Sequence, residues 1–237
     1  MKFEKAPTLA YIALLPLLVS LGFWQLGRAE QKQLLLTRQA QALAAPEVVD
    51  LATLPVVEVA ALRYKKIVLT GHYDQQQQFL LDNQFNAGKV GYCVLSAFIV
   101  DGQEKAVLVN RGWLPLNQDR SVLPDVQFKQ APTQLAGRIN AFPAVGIKLA
   151  GAEIPTATWP SVLQVVDSEV LAKKLGYPLQ PFQVELDKDQ AEGYQRDWQT
   201  VKIMLPEQHK AYAVQWFALA ATLTLLFFGY SFKHKND

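Results

Sequence analysis

The sequence predicts a membrane protein of mixed type. Two transmembrane α-helices, one near each end, flank a β-rich extramembrane domain of α+β character, with an antiparallel barrel-like or sandwich-like sheet. Three observations carry that expectation. Two long runs, Thr8–Leu26 and Ala211–Phe232, contain no charged side chain. Between them, short β-branched and aromatic runs alternate with Gly, Asp, Asn and Pro. Half of the 237 residues are hydrophobic while the charged share, 19%, is ordinary, as expected of apolar spans joined to a folded domain.

The first span is placed at residues 8–27. Lys2 and Lys5 precede it, Arg28 follows, and Trp24 suits an interface anchor. Pro16 is tolerable inside a membrane helix. A cleaved signal peptide competes with this reading. The run is long for a signal-peptide core, however, and it continues into Phe-Trp-Gln-Leu-Gly-Arg without an Ala-x-Ala site. The second span, 211–232, is about 22 residues, roughly 30 Å of helix and the thickness of a bilayer core. The domain between, 28–208, is expected on one side of the membrane. Lys2, Lys5, Lys233 and Lys235 argue that both termini are cytoplasmic, whereas Arg28, Lys32 and Arg38 pull weakly the other way.

Within the domain, Arg28–Ala44 is rich in helix formers and extends the first span as a helix until Pro46. A connector leads to about residue 61. Lys65–Thr70 and Gln78–Leu81 read as strands, separated by a turn at Gly71-His72-Tyr73-Asp74 and closed by Asp82-Asn83. Gly91–Val100 and Lys105–Val109 form a hairpin about Asp101-Gly102. Leu135–Ile139 is a further strand, and 141–160 is a proline-broken loop. Ser168–Leu175 is a helix capped by Asp167 or Ser168 and stopped by Gly176. Phe182–Leu186 and Thr200–Met204 are closing strands, and Pro206 ends the domain.

Most chemistry-bearing patterns are missing. The sequence holds no HExxH, GxSxG, P-loop or strand-GxGxxG-helix unit, so an enzyme is not expected. A net charge of +2 without a basic run gives no nucleic-acid footprint. Cys93 is the only cysteine, which excludes an intrachain disulfide and a multi-cysteine metal site. It is expected as a small packing residue. The acidic loop around Asp187, Asp189 and Glu192 reads as a hydrated turn, and Gly88 and Gly91 as turn or strand-entry residues. Asp74 and Asp82 fall in turns, with nothing to make them an acid/base pair.

Of three histidines, His72 sits in the expected turn and His234 in the basic tail. His209 differs, because it lies just before the second apolar run. On a helix His209, Tyr212, Ala213, Trp216 and Ala220 share one face. A neutral imidazole there can ligate iron, with Tyr212 and Trp216 as flat walls. The same position also suits a plain interfacial histidine beside an aromatic belt. Met204, a conceivable second soft ligand, is expected in the core.

Several segments taken together resemble a known family: Phe23–Arg28 (FWQLGR), Tyr64–Asp74 (YKKIVLTGHYD), Gly91–Val94 (GYCV), Val107–Pro115 (VLVNRGWLP) and His209–Ala218 (HKAYAVQWFA). Their order between two terminal spans resembles the surfeit locus protein family of cytochrome c oxidase assembly factors. The resemblance implies a bacterial inner-membrane protein with a periplasmic domain and no catalytic turnover. It implies a role in handling haem a for insertion into oxidase subunit I, and haem a synthase as a further partner. It assigns the haem ligand of bacterial members to His209. Arg111 and Trp113, in the Asn-Arg-Gly-Trp segment, read first as structural residues. Two rival functions remain at this point: a scaffold that steadies subunit I without haem, and a haem-modifying membrane enzyme.

Overall fold

The structure, a computed structural model, describes residues 4–45, 48–51, 59–143, 149–198 and 204–233. The chain divides into two units, residues 1–40 with 199–237, and residues 41–198.

The first unit holds two helices. Helix α1, Lys5–Ala44, is one continuous helix of 40 residues, so the expected span and its extension are a single element. It stops just short of Pro46, as the clash between a proline ring and the preceding residue requires. Helix α4, Pro206–Lys233, starts on well-defined chemistry. Pro206 takes the first helical position, where its missing N–H costs nothing. The Gln208 side-chain carbonyl turns back to accept from the Leu205 backbone N–H at 2.8 Å. Glu207 in the first turn and Lys233 in the last complement the helix dipole. Both helices are long and apolar enough to cross a membrane. They run antiparallel: Tyr11 stacks on Phe227 at 4.3 Å near one end, Phe23 meets Phe217 edge-on at 5.4 Å, and Tyr230 donates to Glu4 at 3.0 Å.

The second unit is rich in sheet. Its elements are β1 (Val48–Val49), α2 (Val59–Leu62), β2 (Lys66–Asn86), β3 (Lys89–Val100), β4 (Ala106–Pro115), β5 (Gln134–Asn140), β6 (Ser161–Leu163), α3 (Ser168–Leu175) and β7 (Leu179–Leu186). Pairing runs β1-β2-β3-β4-β7-β5, and β5 pairs again with β2, so five strands form a closed ring of neighbours. The purely antiparallel expectation is corrected, because β1–β2, β2–β6 and β4–β7 are parallel. A parallel neighbour needs a crossover. The long segment from β4 to β7, which carries β5, β6 and α3, supplies one.

One hydrophobic cluster includes Ile67, Phe98, Val107, Val109, Ile139 and Val184. Another, which includes α3, gathers Phe79, Leu95, Leu108, Leu171 and Leu175. Alternate residues of β4 enter different clusters, so both of its faces are buried, and its VLV run is continuously apolar for that reason.

The turn expected at Gly71–Asp74 does not exist. Residues 66–86 are one strand, broken in register between Tyr73 and Gln78. Gly71 is there for close approach, since a Cβ would lie 2.0 Å from the Ile99 carbonyl oxygen. Asp74 binds the Gln76 and Gln77 N–H groups at 3.1 and 3.0 Å and holds the extra residues as a local bulge. Asp82-Asn83 likewise sits inside β2, at a second register shift. The helix at 168–175 forms as expected. Asp167 is its N-cap, accepting from Glu169 and Val170, and Gly176 ends it at φ 85°. Of the expected strand Thr200–Met204, residues 200–203 lie outside the described residues, and Met204 belongs to no strand.

Candidate functional site

His209 lies in the first turn of α4 and is buried, 6% exposed. Its Nδ1 is 2.7 Å from Oε1 of Gln25 on α1, which is itself 9% exposed. A carbonyl oxygen only accepts, so this contact is a hydrogen bond in the Nδ1–H tautomer, which leaves the lone pair on Nε2. Among the described residues no other side chain hydrogen-bonds to the ring.

Sequence periodicity grouped five residues on one face of this helix, and the structure brings together only part of that group. Ala213 and Ala220 are buried with His209, in line with the positions that touch α1 at Phe217, Thr224 and Phe227. Tyr212 is 44% exposed and Trp216 half-buried, so both lie off the stripe that packs against α1. Four residues are not an integral number of helical turns, and the buried stripe follows Ala213–Phe217–Ala220 rather than Tyr212–Trp216.

On α1 the matching stripe is Gly22, Gln25 and Ala29. Gly22 makes room for its partner helix: a Cβ there would sit 2.5 Å from the Phe217 ring. One turn further along, Gln25 reaches His209. Within the FWQLGR segment, hydropathy and spacing do not single out Gln25. The available signal was chemical, an uncharged amide near the end of an apolar span, where a buried polar group wants a partner.

The remaining candidates are placed elsewhere. His72 is exposed on β2 opposite Ile99, and His234 lies outside the described residues. Met204 is half-buried just before α4, with φ 40°. Cys93 is half-buried on β3, packed against the α3-side cluster, and forms no disulfide. Gly88 forms the β2–β3 turn at φ 77°, and Gly91 admits Leu114 and Trp113 against β3. Asp74 accepts from Tyr177 at 2.9 Å, and burial together with that carboxylate pushes the phenol well above its ordinary value. Among the described residues, no group of three or more His, Cys, Asp or Glu side chains is arranged to hold a metal ion. A donor set here is therefore one imidazole, which suits an axial ligand to an iron held in its own macrocycle rather than a bare cation.

Arg111 and Trp113 are structural, as read. Arg111 is 1% exposed at the heart of β4. It donates to Glu192 O at 2.8 Å, Gln78 Oε1 at 2.9 Å and Val126 O at 3.0 Å. Its guanidinium lies 3.7 Å above the Phe128 ring and pairs with the Glu192 carboxylate at 3.6 Å. Burial lowers its pKa, while Tyr194, Tyr73 and Glu192 oppose the shift. The acidic loop is thus more than a hydrated turn. Glu192 also accepts from the Lys129 and Gln130 N–H groups, both at 3.1 Å. Trp113 is buried and donates to Gln84 O at 2.9 Å.

Comparison with known proteins covers both the helix pair and the buried arginine. The SURF1 family model matches residues 12–221. A SURF1-like protein of Rickettsia bellii is 28% identical over 223 residues, 89% of this chain and 85% of that protein. Surfeit locus protein 1 of Xenopus tropicalis is 25% identical over 225 residues, 87% of this chain and 70% of the other. The cytochrome oxidase assembly protein SHY1 of Saccharomyces cerevisiae matches a shorter stretch, 32% identical over 62 residues, 26% of this chain and 15% of SHY1. With its two apolar helices, its sheet-rich unit and a family match over most of its length, the chain belongs to the SURF1 family.

Proposed function

We propose that this protein is an assembly factor for haem–copper cytochrome c oxidase that holds haem a through His209 and presents it for insertion into subunit I. The oxidase part of the reading is supported by family membership and by likeness to a yeast protein named for cytochrome oxidase assembly. The haem part is carried by one observation: a buried histidine at the head of an apolar helix with Nδ1 engaged and Nε2 left as a ligand. When bound, haem a supplies an iron centre able to take an axial imidazole and an amphipathic ring suited to the edge of a bilayer. The chain's own contribution is placement. His209 offers the nitrogen, and α1 and α4 give the ring an apolar setting. Haem a synthase is the natural donor.

The test is purification from a host that makes haem a. His209→Ala is expected to lose the haem absorbance; leaving the buried Gln25 amide without its partner costs the helix pair about 1–3 kcal/mol, so an unchanged far-UV circular dichroism spectrum of the sheet-rich unit is the control for folding. Haem content unchanged by that substitution would overturn the ligand assignment and leave a scaffold for subunit I.

In this reading α1 and α4 cross the inner membrane of a bacterium, with cytoplasmic termini and the sheet-rich unit in the periplasm. A single cysteine in the exposed Asp101–Gly102 turn, built as Asp101→Cys on a Cys93→Ser background, is expected to react with a membrane-impermeant maleimide in intact spheroplasts. Reaction only after lysis would reverse the orientation.

A further inference from the structure

We propose that Gln25 is the positioning residue for His209: its side-chain carbonyl fixes the imidazole as the Nδ1–H tautomer and so makes Nε2 the nitrogen that meets iron. The proposal rests on the reading of His209 as the haem ligand and adds to it the residue that sets tautomer and ring orientation.

A primary amide moved from water into an apolar setting without a partner is unfavourable by about 1–3 kcal/mol, so a buried Gln25 has to find one. It finds His209 at 2.7 Å, the short end of the range for such a bond. The two residues are 184 positions apart, and packing rather than chain proximity brings them together. Gly22, one turn before Gln25, lets the Phe217 ring seat directly against α1. The Tyr11–Phe227 stack and the Tyr11–Thr224 contact at 3.2 Å fix the same helix pair further along. With the helices held at those levels, the amide meets the ring.

The chemistry follows from the direction of the bond. An imidazole that donates from Nδ1 has its lone pair on Nε2 and is a better σ-donor than one free to tautomerise. The acceptor is neutral, so the pair adds no net charge to an apolar environment. A carboxylate in the same place would draw the proton further and give the ring imidazolate character. Histidine ligands held by such an acceptor typically lose 10–100-fold in metal affinity when it is removed.

The full-length protein in detergent tests this. In the haem-free wild type, side-chain ¹⁵N shifts of His209 are expected to show Nδ1 protonated and Nε2 bare. A bare Nδ1 would overturn the proposal without any variant. Gln25→Leu is expected to weaken haem a binding about 10–100-fold and to scramble the tautomer. Gln25→Glu, which keeps an acceptor, is expected to restore binding and to lower the reduction potential of the bound haem. A purely structural tie between helices would leave the potential of Gln25→Glu where it was, and that result, or wild-type affinity in Gln25→Leu, overturns the proposal. Haem retained by His209→Ala would instead sink the underlying ligand reading, while the tautomer measurement on haem-free protein still decides whether Gln25 orients the ring.

Discussion

Arg111→Met is expected to destabilise the sheet-rich unit by about 3–5 kcal/mol, the cost of removing one partner from a buried charge pair. The side chain is about the right length and apolar, so packing is largely kept and the loss isolates the polar network. Val126 O and Glu192 O lose the arginine as donor, and Gln78 Oε1 is left with Ser96 Oγ alone. Among the described residues, the Glu192 carboxylate is left with the Lys129 and Gln130 N–H groups. Arg111→Lys is expected to recover only part of the loss. An ammonium cannot serve three directions from one plane, nor lie flat on Phe128 as the guanidinium does at 3.7 Å. At about 2–4 °C per kcal/mol for a domain of this size, the methionine variant should melt roughly 10 °C below wild type, read by tryptophan fluorescence of the purified protein. A shift under about 2 °C would mean that the network contributes little.

Gly112→Val is expected to reach a similar magnitude by another route. Gly112 sits at φ 113°, a conformation that costs a branched residue about 1–3 kcal/mol. A Cβ would also lie 2.8 Å from Gln195 O and 2.9 Å from Arg196 Cγ. The backbone of 194–195 is laced to β4 here: Tyr194 N donates to Arg111 O at 2.7 Å and Trp113 N to Gln195 O at 2.8 Å. Pushing that segment away also withdraws Glu192 from Arg111. The two substitutions therefore share a mechanism. The double variant should be less destabilised than the sum of the singles, with a coupling of about 1 kcal/mol or more. Strict additivity would show that the loop and the arginine act independently.

Much of this was legible in the sequence, for reasons that differ by element. Helix α3 was readable because its stop and start signals are local: a capping aspartate, eight residues, a glycine. Strand β4 was readable as an apolar run because both faces are buried. Strand β2 misled, since glycine followed by histidine, tyrosine and aspartate has the composition of a turn. Only the neighbouring Ile99 carbonyl, absent from any local window, explains the glycine. The three residues of β6 directly follow a proline-broken stretch and carry no strand signal of their own, and their parallel pairing with β2 is purely tertiary. At the site, His209 stood out because a titratable residue at the edge of an apolar run is conspicuous. Gln25 did not, because an uncharged amide barely perturbs hydropathy and its partner lies at the far end of the chain. Tyr212 and Trp216 are turned off the stripe that packs against α1, a distinction that spacing along the helix does not resolve.

The ring of strands also constrains the order in which the chain can become a folded object. Strand β2 cannot complete its neighbours until β5 and β6 arrive, and the ring closes only when β7, the last strand of the unit, pairs with both β4 and β5. A ribosome that has released everything up to β6 has made a sheet with two open edges and no way to shut them. Closure is a non-local event that waits for Leu186, and such topologies form slowly because loop entropy is spent before any contact repays it. Helix α4 follows soon afterwards, so the interval between sealing the sheet and synthesising the histidine is short. The nascent chain thus carries unpaired sheet edges until β7 is made, and His209 follows only once the sheet can close.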